Sequence, residues 1–323
     1  MVERTAGGRG DAGTPLISIV VSCYDISRLT DLFRLLDSIS MQTSSVEVVL
    51  VVERDRMLYE SAVGYMEGLT CWWTAVFSPA RLGISNARNL GVGNCTGRLI
   101  AFIDDDAILF EDWSNQVRKA LEKYPNASGF TGSVVPLTSG ANLDWFPKSL
   151  YWMIGCTGWR EVAEGEVDSV SGANMMFKHE IFKVVSFVDE FSDGSSKAGK
   201  QGTTGDDVDF VLRVRMQLHA TLVFFPSIRV FHRVYPFKLT YRYIRRYAFW
   251  QGVAEARYDA TYGRVSRQAS RSVALQNSLA DLTKGPARAA SRRAMALLTF
   301  VCFGALGFYA SQRGLTRVFA RLV

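Results

Sequence analysis

Through the first two thirds of the chain, short apolar runs alternate with stretches whose apolar residues recur at helix spacing. Leu16 to Ser22 and Val46 to Val52 are continuous apolar runs, as parallel strands buried on both faces require. Between them Leu29, Leu32, Phe33, Leu36 and Ile39 share one helical face. Trp72 to Phe77 predicts a third strand, Asn86 to Gly93 a short helix ending at glycine, and Leu99 to Ile103 a fourth strand. Asp112 to Lys123 reads as helix and Thr131 to Val170 as irregular, while Ser171 to Phe177 leads into another helix. Ser192 to Gly205 is a Gly, Ser, Thr and Lys loop of the length that active-site lids have. A helix opens at Gly205-Asp206-Asp207, its acids suited to an N-terminus, and Ala220 to Phe225 and Arg229 to His232 read as strands. Strands alternating with helices predict an α/β fold with a parallel sheet. Ligands bind such sheets off the carboxyl ends of the strands, where Asp25, Glu53 and Asp104 to Asp106 all fall.

The last hundred residues change character. Lys238 to Tyr262 mixes aromatic residues with arginine, and the 19 residues between Arg293 and Arg313 carry no charge. As a helix that window reaches ~28 Å at ~1.5 Å per residue, near the lower limit for a membrane span. The formal net charge of +6 conceals a segregation: from Arg229 onward 17 basic residues face three acids, whereas the preceding part is acidic. A basic tail around an apolar segment points to an anionic lipid surface and away from nucleic acid. The first 15 residues are polar, read as a disordered tail with no secretory signal, and the five scattered cysteines suit a reducing compartment.

The strongest chemical signal is Ile100-Ala101-Phe102-Ile103-Asp104-Asp105-Asp106, an apolar run that stops at three carboxylates. In an extended chain the first and third acids share a face, where two anions repel unless a cation neutralises them. Mg²⁺ or Mn²⁺ takes such oxygen ligands and completes its shell with substrate phosphates. A solvated acidic turn is the competing reading of this segment.

Four segments in order resemble the family 2 glycosyltransferases, enzymes with the GT-A fold. They are Ile17 to Asp25, Arg81 to Gly91, Phe102 to Asp106, and Gly172-Ala173-Asn174 with Phe187 to Phe191 followed by Gly205-Asp206-Asp207. The resemblance covers a transferase domain over residues 16–235, and the composition beyond it reads as a basic, aromatic, helical region at 236–323 holding a membrane helix at 294–312. By the same resemblance Asp25, Glu53, Arg88, Asp104 and Asp105 would bind a nucleotide-sugar donor, with UDP favoured over GDP. Asp104, Asp106 and His232 would hold Mg²⁺ or Mn²⁺, and Asp207 would be the base for inverting transfer. The acceptor would be a lipid-linked or other glycan at the cytoplasmic face of the membrane. Asp25 stands where the family commonly has Asn, and Asp206 where it commonly has Glu. Trp145, Trp152 and Trp159 would stack on an acceptor sugar, pack a core or face the membrane. A nucleotidyltransferase would share the carboxylates and metal, but Ser22-Cys23-Tyr24-Asp25 offers no phosphate-cradling glycine loop. An inactive membrane-surface adaptor is the third reading, against which Asp104, Asp106 and Asp207 all speak.

Overall fold

The computed structural model describes residues 2–7, 14–43, 45–157, 163–188, 205–263 and 290–319. In chain order its elements are β1 (Glu3–Gly7), β2 (Ile17–Cys23), α1 (Leu29–Ser40), β3 (Val46–Glu53), α2 (Arg56–Met66), β4 (Trp72–Ser78) and α3 (Ile84–Val92). Then come β5 (Leu99–Ile103), β6 (Ala107–Leu109), α4 (Trp113–Lys123), β7 (Gly129–Thr138), β8 (Gly165–Glu166) and β9 (Asn174–Lys178). The described chain ends with α5 (Asp206–Leu218), β10 (Leu222–Val234), α6 (Tyr241–Tyr262), α7 (Ala290–Gln312) and α8 (Thr316–Phe319).

One mixed sheet runs β1-β4-β3-β2-β5-β9-β7-β10-β6, with β8 paired to β10. Strands β4, β3, β2 and β5 are mutually parallel, and β9 turns the direction by pairing antiparallel with both β5 and β7. The sheet is covered on both faces, which is why β3 is buried at every position and reads as an unbroken apolar run. Ile17, Ile19 and Val21 of β2 enter a core with Leu32 of α1, Leu58 of α2 and Trp113 of α4. Val20 and Val49 point the other way, into a second core with Phe210 and Val214 of α5.

Several elements differ from the sequence reading. Glu3–Gly7, expected within a disordered tail, pairs antiparallel with β4 as an edge strand and buries nothing, so no apolar pattern announced it. The stretch after Thr131 is a strand at its start, because β7 fills the gap between β9 and β10. Ala220 to Phe225 and Arg229 to His232 join into one β10, whose pairing with β7 shifts register between Phe224 and Arg229. Helix α2 carries a short apolar pattern that the reading passed over. Trp159, Asp189 to Phe191 and most of the expected lid loop lie outside the described residues.

Helix α7 is long and apolar enough to cross a membrane, and 22% of its most apolar stretch is buried. Its inner side packs backbone to backbone on α6, since a Cβ on Gly252 would overlap the Gly304 carbonyl and one on Gly307 the Phe249 carbonyl. Met295, Leu298, Val301 and Tyr309 are exposed on it.

The β7–β10 contact allows a direct test. A Cβ on Gly132 would overlap the Ile228 carbonyl oxygen, whereas one on Gly64 of α2 meets nothing within 4 Å. Gly132→Ala should lose about 1–3 kcal/mol in urea denaturation. Gly64→Ala should gain roughly 0.5–1 kcal/mol from helix propensity.

Candidate functional site

Strand β5 delivers its acids at the carboxyl end of the parallel sheet, and the chain then turns directly into β6. Antiparallel pairing sets His232 of β10 opposite Ala107, one residue past Asp106. This pairing brings together groups 126 and 128 residues apart in sequence. His232 Nε2 lies 3.2 Å from Asp106 Oδ1 and 3.5 Å from Asp104 Oδ2. Donor atoms of the three residues fall within 4.8 Å of one another. Gly155, at φ 82°, lies against the ring; a Cβ there would come within 2.6 Å of His232 Cε1, so only glycine fits.

Burial disfavours charge on these groups, yet proximity wins. It opposes protonation of His232, but the two carboxylates hold the imidazole well above its ordinary range. Asp104 and Asp106 are raised by burial and lowered further by His232, so both carboxyls end below the usual value. The pair therefore demands positive charge, which a protonated imidazole or a divalent ion supplies. Asp106 Oδ1 is buried without a hydrogen-bond partner. An octahedral ion with bonds of about 2.0–2.1 Å sets adjacent ligands about 3 Å apart, close to the spacings seen. The residues fit a metal.

Asp105 does not join this group. It is 3% exposed and bonds Arg28 at 2.6 Å, with burial pushing its carboxyl up to about 6 against the pull of that guanidinium. Where a donor contact is expected, its side chain is engaged by Arg28. Arg28, which follows β2 and also sits 3.6 Å from Asp106, was not singled out in the sequence. A bare arginine after a strand carries no signal of a partner 77 residues on.

Glu53 is 8% exposed, and its Oε2 accepts from the backbone N–H groups of Leu82 and Gly83, at the entrance of α3. It braces that loop beside the expected donor crevice. Asp25 is half-buried at the end of β2, and the Ser27 hydroxyl, with the Ser27 N–H that donates to it at 3.0 Å, holds its carboxyl low.

Arg88, expected at the donor, is 6% exposed and pairs with Asp206 at 2.5 Å, its guanidinium over the Phe187 ring at 5.3 Å. The pair fastens α3 to the first turn of α5 and so positions Asp207. Gly172 closes the other side: a Cβ there would reach Asp207 Oδ2 at 2.9 Å. Gly205, at φ 148°, starts the helix, and its carbonyl accepts from Tyr258 of α6 at 2.6 Å. Burial, then the neighbouring Asp206, pushes the Asp207 carboxyl up to about 6, with Asp104 adding to the effect. Asp104 is thus near enough to contribute to that rise.

The described tryptophans serve packing. Trp145 is 8% exposed between Phe146 and Tyr241, with Arg292 over its face at 4.7 Å. Trp152 sits between Tyr247 and Phe300, so both rings seat α6 and α7 on the sheet domain.

The arrangement is that of a transferase whose acids and histidine gather at the carboxyl edge of a GT-A sheet. Residues 18–186 match the family description "Glycosyl transferase family 2", and the chain belongs to that family of glycosyltransferases. Over 304 residues it is 25% identical to a glucosyl-dolichyl phosphate glucuronosyltransferase of Haloferax volcanii, covering 90% of this chain and 94% of that one. Its fold is similar to a mannosyltransferase from Pyrobaculum calidifontis in complex with GDP-Man and Mn²⁺ (TM-score 0.55, 16% identity, 98% of this chain and 84% of the other). It is similar also to S. aureus TarS 1-349 (TM-score 0.52, 12% identity, 92% and 91%).

Removing one partner of a buried ion pair strands the other, at about 3–5 kcal/mol. Arg88→Ala should lose that much in chemical denaturation. Arg118→Ala breaks the exposed pair with Glu122 and should change stability by less than about 1 kcal/mol.

Proposed function

We propose that this glycosyltransferase moves a sugar from a nucleotide-diphosphate sugar to a hydroxyl of a lipid-linked glycan, inverting the anomeric centre. The observation that carries the reading is the cluster of Asp104, Asp106 and His232, with Asp104 acting electrostatically on a separate buried carboxylate, Asp207. Asp207 takes the proton of the acceptor hydroxyl, and that oxygen attacks the anomeric carbon as the bond to the nucleotide diphosphate breaks. One displacement from the face opposite the leaving group gives inversion. Asp104, Asp106 and His232 would hold Mg²⁺ or Mn²⁺, which neutralises charge on the departing diphosphate. The imidazole nitrogen favours Mn²⁺, because Mg²⁺ prefers an all-oxygen shell. Asp25 would contact the nucleoside, and that role, like the preference for UDP, rests on the family resemblance.

The lipid-linked acceptor draws on the Haloferax relative, whose name places a sugar on glucosyl-dolichyl phosphate. It also draws on α7, whose apolar exposed side suits lipid. Residues 16–235 carry the chemistry in this reading, and 236–323 hold the enzyme at the cytoplasmic face.

Asp207→Asn should lower turnover by about 10²–10⁴ while Mn²⁺ and nucleotide binding persist. In the wild type, turnover should fall about tenfold per pH unit below about 6, because the base must be ionised. Full turnover by the variant would remove the assignment. Leu298 and Val301 are 59% and 45% exposed. Leu298→Glu with Val301→Glu should cut sedimentation with lipid vesicles by about tenfold or more, each charge disfavouring apolar lipid by roughly 2 kcal/mol or more. Unchanged sedimentation would refute the anchor.

A further inference from the structure

Beyond His232, the chain runs through Arg233, Tyr235 and Lys238 before α6 begins. Three cations converge on the Tyr235 ring: Arg233 at 5.0 Å, Arg28 at 5.5 Å and Lys238 at 5.7 Å. Arg28 answers Asp105, and Arg233 answers Asp31. Lys238 has no acid paired to it among the described residues, and its charge reaches Asp106. Both arginine side chains keep contact with solvent, at 27% and 36% exposure. Asp105 and Asp31 offset the two guanidinium charges, and Lys238 is left as the cation without a paired acid beside them. Guanidinium forks and an ammonium are the groups that bind phosphate oxygens.

The surroundings define what carries that phosphate. On one side lies the Asp104–Asp106–His232 cluster, through the contact of Arg28 with Asp106. On the other, Phe237 stacks on Tyr235 at 5.7 Å and is 59% exposed, followed by α6 and its apolar partner α7. A ligand meeting all of this has a sugar or hydroxyl end, a phosphate and an apolar chain.

We propose that Arg28, Arg233 and Lys238, gathered around Tyr235, form a subsite for the phosphate of a lipid-linked acceptor, with Phe237 against the first units of its chain. This deepens the transfer reading above and rests on it for the acceptor's sugar end. The phosphate contact itself can be measured without turnover.

The test uses the full chain in detergent micelles, with geranylgeranyl phosphate as probe and geranylgeraniol as its uncharged control. UDP and GDP with Mn²⁺ form the donor arm. Wild type should bind the phosphate at least about tenfold more tightly than the alcohol, a charge-assisted contact of ordinary strength. Lys238→Ala should erase most of that preference, Lys238→Arg should keep it, and nucleotide binding should stay unchanged in both. Equal binding of phosphate and alcohol by wild type would overturn the subsite, as would full preference in Lys238→Ala. A loss confined to the nucleotide arm would assign the cations to the donor and overturn it equally. Should Lys238→Ala fail to fold, Lys238→Gln and the salt dependence of wild-type binding decide between the same outcomes. Failure of sugar transfer beside intact, Lys238-dependent phosphate binding would sink the proposed reaction and leave the subsite standing.

Discussion

Two carboxylates crowded at the end of one buried strand need a positive charge between them, and much of the architecture serves that need. Asp104 and Asp106 are brought together by the turn from β5 into β6, and His232 by the pairing of β6 with β10. Gly155 gives the imidazole room by having no side chain. Arg28 balances Asp105, the acid that faces away from the cluster, so three adjacent negative charges never compete for one cation. Change the count of charges here and the strand end becomes a site of repulsion.

A second buried balance sets the position of Asp207. Its carboxyl is raised by burial and by Asp206, and the Arg88–Asp206 pair keeps that pressure from becoming full neutralisation. The same pair ties α3 to α5 across the sheet's carboxyl edge. A carboxylate with a proton affinity near neutrality is suited to accept and release a proton, which an exposed aspartate does poorly. The hydrogen bond from Tyr258 to the Gly205 carbonyl connects this helix start to α6.

What the sequence made legible follows from what it encodes locally. The strands β2, β3, β4 and β5 are buried on both faces, so burial wrote itself as unbroken apolar runs. The acids at Asp104 and Asp106 were readable because they end an apolar run abruptly, and the helix opening at Asp206 because acids follow a glycine and lead into apolar residues at helix spacing. Glu53, Arg88 and Asp105 sat in the expected places yet spend their charges on partners inside the protein: Leu82 and Gly83, Asp206, and Arg28. Nothing in a linear chain distinguishes a carboxylate facing a ligand from one facing a backbone 29 residues away. Edge strand β1 and the three-residue β6 escaped notice for another reason: the first has no buried face, and the second is too short to show a period.

Helix α6 joins these threads. Its Gly252 and Phe249 contact α7 at backbone distance, and its Tyr258 and Tyr262 bond Gly205 and Asp209 at the start of α5. Contacts between backbones tolerate little sliding, because no flexible side chain lies between them to absorb it. Trp145 and Trp152 wedge the same helices against the sheet domain from below. The apolar outer side of α7 and the carboxylate of Asp207 are therefore parts of one packed body, joined through a single intervening helix. A surface that held α7 would set the height of Asp207 above it, and an acceptor anchored in that surface would meet the carboxylate at a distance fixed by packing.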